Sequence, residues 1–221
     1  MRQTGRRTVV ATMGGRAEYR VREHWIQALM LVESLRRFGG CHARDRVIVM
    51  TPGVAARRDG DIEARLEALG AEIVPFAIEE KSLAWDPAAK VAAAAGAEAA
   101  AGSARELVWM DCDTLVLRDL DAIALGGGED VGCCPAYRVN VGSRMGEPPD
   151  EFWSLVYSAC GVEEADVFPM RPCTADVQIR PYFNSGFVVV RPAAGLLQAW
   201  SDRCDAILAD RPEQRVPMSR L

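Results

Sequence analysis

Histidine, lysine and long apolar runs are all scarce in this 221-residue sequence. The only histidines are His24 and His42, and so few argue against a Ser-His or Cys-His nucleophile. No window approaches the roughly 18 uninterrupted apolar residues that a transmembrane helix needs. Residues 9–13 form an apolar run that is too short for the core of a signal peptide. The sequence therefore predicts no membrane span.

Paired cysteines and nucleotide-binding loops are also missing. The seven cysteines are odd in number and widely spread, and no two form a Cys-x-x-Cys pair. This pattern is typical of reduced thiols in a cytosol and disfavours a disulfide framework or a zinc site, so we predict a cytoplasmic protein. There is no G-x-G-x-x-G, G-K-[ST] or G-x-S-x-G motif, so the usual signals of dinucleotide binding, P-loop chemistry and α/β-hydrolase chemistry are absent.

No stretch of the chain concentrates positive charge. The formal net charge is −5, and the arginines are scattered among the acidic residues. This distribution argues against a general affinity for nucleic acid. Hydrophobic residues make up 49% of the chain and charged residues 26%, which is typical of a soluble globular enzyme or binding domain.

Short apolar runs alternate with helical patterns along the chain, which predicts an α/β fold with a mostly parallel sheet. Strands are predicted over residues 8–13, at RVIVMTPG, at EIVPF, around residues 106–120, at VGCCPAY and at YFNSGFVVVRP. Helices are predicted between them and over residues 195–209, and residues 138–181 are predicted to be a long irregular excursion. No linker interrupts the pattern, so we predict one domain over residues 1–221.

Two carboxylates interrupt the apolar segment ELVWMDCDTLVLRDL. In a strand, residues two apart point to the same side, so Asp111 and Asp113 can aim at one point while Cys112 faces the opposite layer. Hard oxygen ligands at the carboxyl end of a parallel strand suit Mg²⁺ or Mn²⁺ shared with phosphate oxygens. A bare Asp-x-Asp is equally compatible with solvated carboxylates at a strand–turn boundary.

The wider segment VWMDCDTLVLRDLDAI resembles the metal-binding segment of GT-A glycosyltransferases, especially the glycogenin-like family eight. YFNSGFVVVRP, about seventy residues downstream, is similar to that family's Phe-Asn-(Ala/Ser)-Gly-apolar strand. TVVATM followed by Tyr19 is similar to the family's first strand and nucleotide-contacting loop. The resemblance implies a GT-A fold, a three-layer α/β/α sandwich with a Rossmann-like sheet, over most of residues 8–209.

The resemblance also implies a donor site. Asp111 and Asp113 would hold a Mn²⁺ or Mg²⁺ ion that bridges the diphosphate of a nucleotide-sugar, with a UDP-sugar as the favoured donor. Ala11 and Thr12 would border the base and ribose, and Tyr19 would contact the nucleotide.

Two further roles are implied around the sugar. Asn184 would sit against the donor or acceptor sugar, with Ser185 and Gly186 letting the backbone approach closely; an Asn that caps a strand end is the alternative. Lys90 would lie near the donor sugar or phosphates, whereas an isolated Lys more often lies on a solvated helix face.

Aromatic residues in or beside the excursion have two interpretations. They could stack on an acceptor sugar, or they could anchor the long loop to a core. The residues concerned are Phe152, Trp153, Tyr157, Phe168 and Tyr182.

Two departures from the family pattern stand out. The His-x-x-Gly-x-x-Lys segment that supplies a third metal ligand has no counterpart downstream of Asn184, so we expect the closing segment to be missing from this chain. Met13 also stands where the family's first strand has Asp.

The prediction is a metal-dependent glycosyltransferase that moves a hexose from a nucleotide-diphosphate sugar to a carbohydrate or other hydroxyl acceptor, with retention. A sugar-1-phosphate nucleotidyltransferase shares the fold, although MGGRAEYR is a poor version of its opening loop. A noncatalytic sugar-nucleotide-binding module is the third interpretation.

Overall fold

A computed structural model describes residues 7–12, 21–53, 59–78, 86–136, 143–172 and 176–209, with the backbone alone for residues 7–12, 21 and 86. Six strands and five α-helices fall within these ranges. The strands are β1 (Arg7–Thr12), β2 (Arg46–Pro52), β3 (Ala71–Phe76), β4 (Glu106–Asp111), β5 (Val131–Pro135) and β6 (Phe183–Val190). The helices are α1 (Val21–Phe38), α2 (Gly60–Ala68), α3 (Asp86–Ala100), α4 (Glu151–Cys160) and α5 (Leu196–Ala209).

The strands form one six-stranded sheet in the order β3-β2-β1-β4-β6-β5. Strands β1, β2, β3 and β4 run parallel to their neighbours, and β6 runs antiparallel to β4. The order 3-2-1-4 is that of a Rossmann-like half, which reverses direction beside β1. The predicted mostly parallel α/β sheet is therefore confirmed.

Two apolar cores lie on the two faces of this sheet, because successive strand residues point to opposite sides. Val47, Val49, Val108 and Met110 pack with α1 and α2 on one face. On the other face, a second set packs with α3 and α5, and its buried sheet members are Ile48, Met50, Phe76, Leu107, Trp109 and Val190. The result is the predicted three-layer α/β/α arrangement.

Helix α1 has the buried stripe that its spacing predicts. Trp25, Leu29, Val32 and Leu35 are all 4% exposed or less. The helix ends at Phe38, where a Cβ on Gly39 would lie 2.6 Å from the Leu35 carbonyl oxygen. Gly39 therefore allows the chain to turn back toward β2.

The chain divides into two compact units. The first comprises residues 1–132 and 186–201 and contains the parallel strands β1 to β4. The second comprises residues 133–185 and 202–221. The predicted single domain over residues 1–221 stays a prediction.

The second unit differs from the irregular excursion predicted over residues 138–181, because helix α4 lies within it. Asp150 caps this helix by accepting a hydrogen bond from the Trp153 N–H (3.0 Å), and Gly161 ends it in the left-handed conformation with φ 66°. Both are ordinary helix signals. The neighbouring prolines Pro148 and Pro149 obscured them, because prolines also mark irregular loops.

Two smaller observations complete the fold. β1 ends at Thr12, one residue before the predicted end at Met13, which lies outside the described residues. No helix in the described ranges is long and apolar enough to cross a membrane.

Candidate functional site

The candidate site lies where the parallel strands β1 and β4 end. Thr12, the last residue of β1, pairs in register with Asp111, the last residue of β4. On the other side of β4, Phe187 is opposite Met110, so Gly186 lies beside the same edge. Carboxyl ends of parallel strands commonly carry ligand sites in open α/β sheets.

Lys90 and Asp111 form an ion pair at this edge. The Lys90 Nζ lies 2.7 Å from the Asp111 Oδ2, and the two side chains are 26% and 27% exposed. Lys90 is held there because its neighbours Ala89 and Val91 are buried on the sheet. The positive partner that a carboxylate at the end of a buried strand requires is therefore Lys90.

The second oxygen of Asp111 has no such partner. Oδ1 is buried and accepts no hydrogen bond from the described part of the chain. A buried carboxylate oxygen without a donor costs about 1–3 kcal/mol, so it is rare without a reason. A hard divalent cation is one group that such an oxygen suits, and a metal ion at Asp111 therefore fits the residues present.

Asp113 is placed differently from the prediction. The strand ends at Asp111, and Cys112 and Asp113 form a turn in which the Thr114 N–H donates to the Asp111 carbonyl (3.0 Å). Because the two aspartates do not share a strand, alternation does not set their relative directions. Asp113 is exposed, which leaves its carboxylate accessible to a ligand.

Cys112 faces the layer opposite Lys90, as predicted. It is buried in the core beside α1, and its Sγ lies 3.5 Å from the Gln27 Oε1. Burial, with a smaller effect of the Asp113 and Asp111 charges, raises the pKa of Cys112 to about 12. This thiol is therefore protonated near neutral pH and has a structural role.

The segment after the Asp-x-Asp turn is fastened to α1. The backbone N–H of Val116 donates to the Ser34 Oγ (3.0 Å), and Ser34 in turn donates to the Leu31 carbonyl (2.8 Å). The sequence pattern did not predict this contact. Ser34 is a polar residue within the apolar stripe of α1, and that interruption was the available signal.

The Asn-Ser-Gly block lies on β6, but the boundary between the units runs through it. Asn184 is exposed and Ser185 is half-buried, and both belong to the second unit. Gly186 belongs to the first unit with Asp111. The structure thus brings Gly186 to the Asp111 edge, and the roles of Asn184 and Ser185 stay predictions.

The other nucleotide-contacting candidates are only partly described. Ala11 pairs in register with Met110 and Thr12 with Asp111, so the backbone of both lies beside β4. Tyr19 lies outside the described residues. Their contacts with a base or ribose stay predictions.

The aromatic residues of the second unit mostly form a small core. Phe152 and Trp153 are 8% and 6% exposed, and the Trp153 ring lies 5.7 Å from Tyr157 and 6.2 Å from Tyr182. This packing favours the anchoring role for these four. Phe168 is 56% exposed and keeps a surface free for contact.

Solved structures of similar fold match nearly the whole chain. Core-mannan synthase A from Aspergillus fumigatus, in its Mn/GDP form, has a TM-score of 0.52 and 10% identity, covering 92% of this chain and 64% of that one. The mannosyltransferase Ktr4p from S. cerevisiae, in complex with GDP, has a TM-score of 0.51 and 5% identity, covering 92% of this chain and 62% of that one. The galactosyltransferase LgtC, in complex with donor and acceptor sugar analogs, has a TM-score of 0.50 and 14% identity, covering 94% of this chain and 64% of that one.

These likenesses show the fold, and the chain spans less than two thirds of the length of each of these three structures. The sheet order and these neighbours define the class as a GT-A glycosyltransferase fold, which confirms that prediction. The chain belongs to the Rhodobacterales glycosyltransferase domain family, whose model matches residues 21–220. No curated protein matches the sequence. Membership of the glycogenin-like family eight stays a prediction.

Proposed function

We propose that this chain is a metal-dependent glycosyltransferase that moves a hexose from a nucleotide-diphosphate sugar to a carbohydrate or other hydroxyl acceptor. The observation that carries the proposal is the Asp111 carboxylate, with Oδ2 paired to Lys90 at 2.7 Å and Oδ1 buried without a partner among the described residues. This oxygen lies at the edge of the sheet where α/β folds bind ligands. It can therefore accept a metal ion that binds together with the substrate.

Asp111 and Asp113 are the residues that would hold Mn²⁺ or Mg²⁺. When bound, the ion would supply Lewis-acid stabilisation of negative charge on the diphosphate. Lys90 fixes the direction of the Asp111 carboxylate and adds a positive charge near the place where phosphate oxygens would lie. Ser34, by holding Val116, limits the freedom of the turn that carries Asp113.

The remaining donor contacts are proposed on the family resemblance. Asn184, Ser185 and Gly186 would border the sugar, and Ala11, Thr12 and Tyr19 would border the nucleoside. Retention of configuration rests on the same resemblance. So do the preference for UDP, a cytoplasmic location and the absence of a nucleic-acid partner.

Calorimetric titration with UDP, GDP and their hexose conjugates, with Mn²⁺ or with EDTA, tests the donor site. We expect metal-dependent binding that disappears in the Asp111→Asn, Asp113→Asn double variant. Glu72→Gln is the matched control, since Glu72 is an exposed carboxylate near the opposite ends of these strands, and it should bind normally. Equal binding by the double variant would overturn the proposal.

The products distinguish the reaction from nucleotide transfer in the same fold. A glycosyltransferase releases nucleoside diphosphate from the donor, whereas a sugar-1-phosphate nucleotidyltransferase consumes a nucleoside triphosphate and releases pyrophosphate. We expect nucleoside diphosphate release in Mn²⁺. Pyrophosphate release from a nucleoside triphosphate and a sugar 1-phosphate would show that the proposed reaction is wrong although the proposed nucleotide site is right.

A further inference from the structure

A cluster of side chains of metal-ligand type lies at the other end of the sheet from Asp111. Cys41 and His42 are in the 3-10 turn Gly40–Arg44, just before β2 begins, and Asp121 begins the 3-10 turn Asp121–Ile123. One ligand atom from each of these three residues lies within 4.8 Å of the others. The cluster is therefore at the amino-terminal edge of the parallel strands and is separate from the candidate donor site.

His42 is the centre of this cluster. Its Nδ1 lies 2.9 Å from the Asp45 Oδ2 and its Nε2 lies 2.9 Å from the Asp121 Oδ1, while the residue is 7% exposed. Carboxylates only accept hydrogen bonds, and a neutral imidazole has only one N–H to donate. One carboxylate therefore faces a ring lone pair unless a positive charge is present, either a second ring proton or a bound cation.

Cys41 supplies the third ligand. Its Sγ lies 3.2 Å from the same Asp121 Oδ1 that contacts His42, and Cys41 is exposed. Thiolate sulfur, imidazole nitrogen and a carboxylate oxygen are the ligand types of zinc sites, and three protein ligands leave a fourth position for water. A carboxylate on the far nitrogen of a ligating histidine is the usual outer partner, which is the position of Asp45.

We propose that Cys41, His42 and Asp121 bind one divalent transition-metal ion of the zinc type, with Asp45 orienting His42. On binding, the Cys41 thiol releases its proton to solvent and Nε2 of His42 ligates the ion, while Nδ1–H donates to Asp45. The prediction against a zinc site rested on the absence of Cys-x-x-Cys pairs. No such pair is needed here, because the tertiary fold brings Asp121 to Cys41 and His42 across about eighty residues.

The site differs in chemistry from the Asp111 edge. Two carboxylates favour hard cations such as Mg²⁺ and Mn²⁺, whereas thiolate and imidazole favour zinc and cobalt. The bound ion would also fasten Asp121, which ends the segment that starts at the Asp-x-Asp turn. We therefore expect the ion to stabilise that segment and to take no part in catalysis.

Titration of the metal-free full chain with Co²⁺ tests the proposal, because thiolate ligation gives a near-ultraviolet charge-transfer band that carboxylate sites lack. We expect one equivalent to bind with this band. Cys41→Ser should abolish the band, while Cys134→Ser, which removes another exposed cysteine, should keep it. The Asp111→Asn, Asp113→Asn variant should also keep it, which separates this site from the donor site.

Asp45→Asn tests the orienting role, and we expect Co²⁺ affinity to fall about 10- to 100-fold. Zinc should also raise the melting temperature of the wild-type chain and leave that of Cys41→Ser unchanged. Absence of the charge-transfer band in the wild type, or its persistence in Cys41→Ser, would overturn the proposal. Because Cys41 is exposed, its replacement leaves the fold intact, which circular dichroism verifies.

Discussion

The two edges of the parallel sheet each carry a carboxylate paired with a cation, and the two pairs differ in how completely their atoms are satisfied. At the amino-terminal edge, Arg46 donates from Nε and Nη2 to the two oxygens of Glu72 at 2.8 and 2.7 Å, and from Nη1 to the Ala100 carbonyl. At the carboxyl-terminal edge, Lys90 reaches one oxygen of Asp111, and the other is buried with no partner in the part of the chain that the structure describes.

The difference indicates a structural role for the Arg46–Glu72 pair and a ligand-binding role for the Lys90–Asp111 pair. A bidentate pair gives each carboxylate oxygen a donor and leaves neither oxygen unsatisfied. A point charge such as the lysine ammonium holds one oxygen and leaves the second available. Variants at the two edges should therefore differ in their main effect, which is on stability at the amino-terminal edge and on donor binding at the carboxyl-terminal edge.

Asp111→Asn should have the largest effect. The amide keeps the size of the carboxylate but removes its charge, so we expect about a thousandfold loss of turnover with the fold intact. Nucleoside diphosphate release from the donor measures the loss, and circular dichroism verifies the fold. Turnover within threefold of the wild type would show that Asp111 does not serve the reaction.

Arg36→Met should mainly reduce stability. Arg36 donates to four carbonyls at the amino-terminal edge, those of Ala43, Asp45, Leu69 and Gly70. Losing these partners should lower the free energy of unfolding by about 3 kcal/mol. Urea unfolding followed by tryptophan fluorescence measures the change.

The neighbouring Arg37 provides the control for Arg36. It is exposed and lies over the Phe38 ring at 5.2 Å, so Arg37→Met should cost less than about 1 kcal/mol. Donor affinity of the folded protein should be unchanged in both variants. A large loss of donor binding in Arg36→Met would mean that the two edges are not independent.

Lys90→Met should affect both properties moderately. The Asp111 charge loses its partner, and because the pair is about one quarter exposed we expect a loss of roughly 1–2 kcal/mol in stability. Donor affinity should fall about tenfold, corresponding to one lost charge contact. Lys90→Arg should recover most of the stability. If Lys90→Met kept the stability and donor affinity of the wild type, the pair would be a solvated surface contact.

Glu72→Gln should have the smallest effect, because its side chain is half exposed. The hydrogen bond from Arg46 lowers the pKa of Glu72, so the pair stabilises the fold above the pKa of the unfolded chain. That contribution is lost as pH falls through the lower pKa of the folded state. We expect Glu72→Gln to lower the free energy of unfolding by less than about 1 kcal/mol at neutral pH. If Glu72→Gln and the wild type unfolded identically in acid, this prediction would be contradicted.

Much of the fold was predictable because its signals are local. The stripe on α1, the glycines after it and the apolar strands each depend on residues close in sequence. Helix α4 was missed although Asp150 and Gly161 are sound capping residues, because adjacent prolines favoured a loop. Asp111 and Lys90 were both predicted site residues, but their 2.7 Å contact spans 21 positions and required the packing of α3 on the sheet.

The sequence by itself determined the alternation of strands and helices, the Asp-x-Asp motif after an apolar run and the resemblance to GT-A glycosyltransferases. These depend on hydrophobic period, turn chemistry and motif order, which one chain carries without reference to its fold. Only the tertiary structure decided that Oδ1 of Asp111 receives no hydrogen bond from the described residues, that Ser34 holds the following segment, and that Cys41, His42 and Asp121 meet. Burial and contact between distant residues arise when helices pack on a sheet, and no local pattern encodes them.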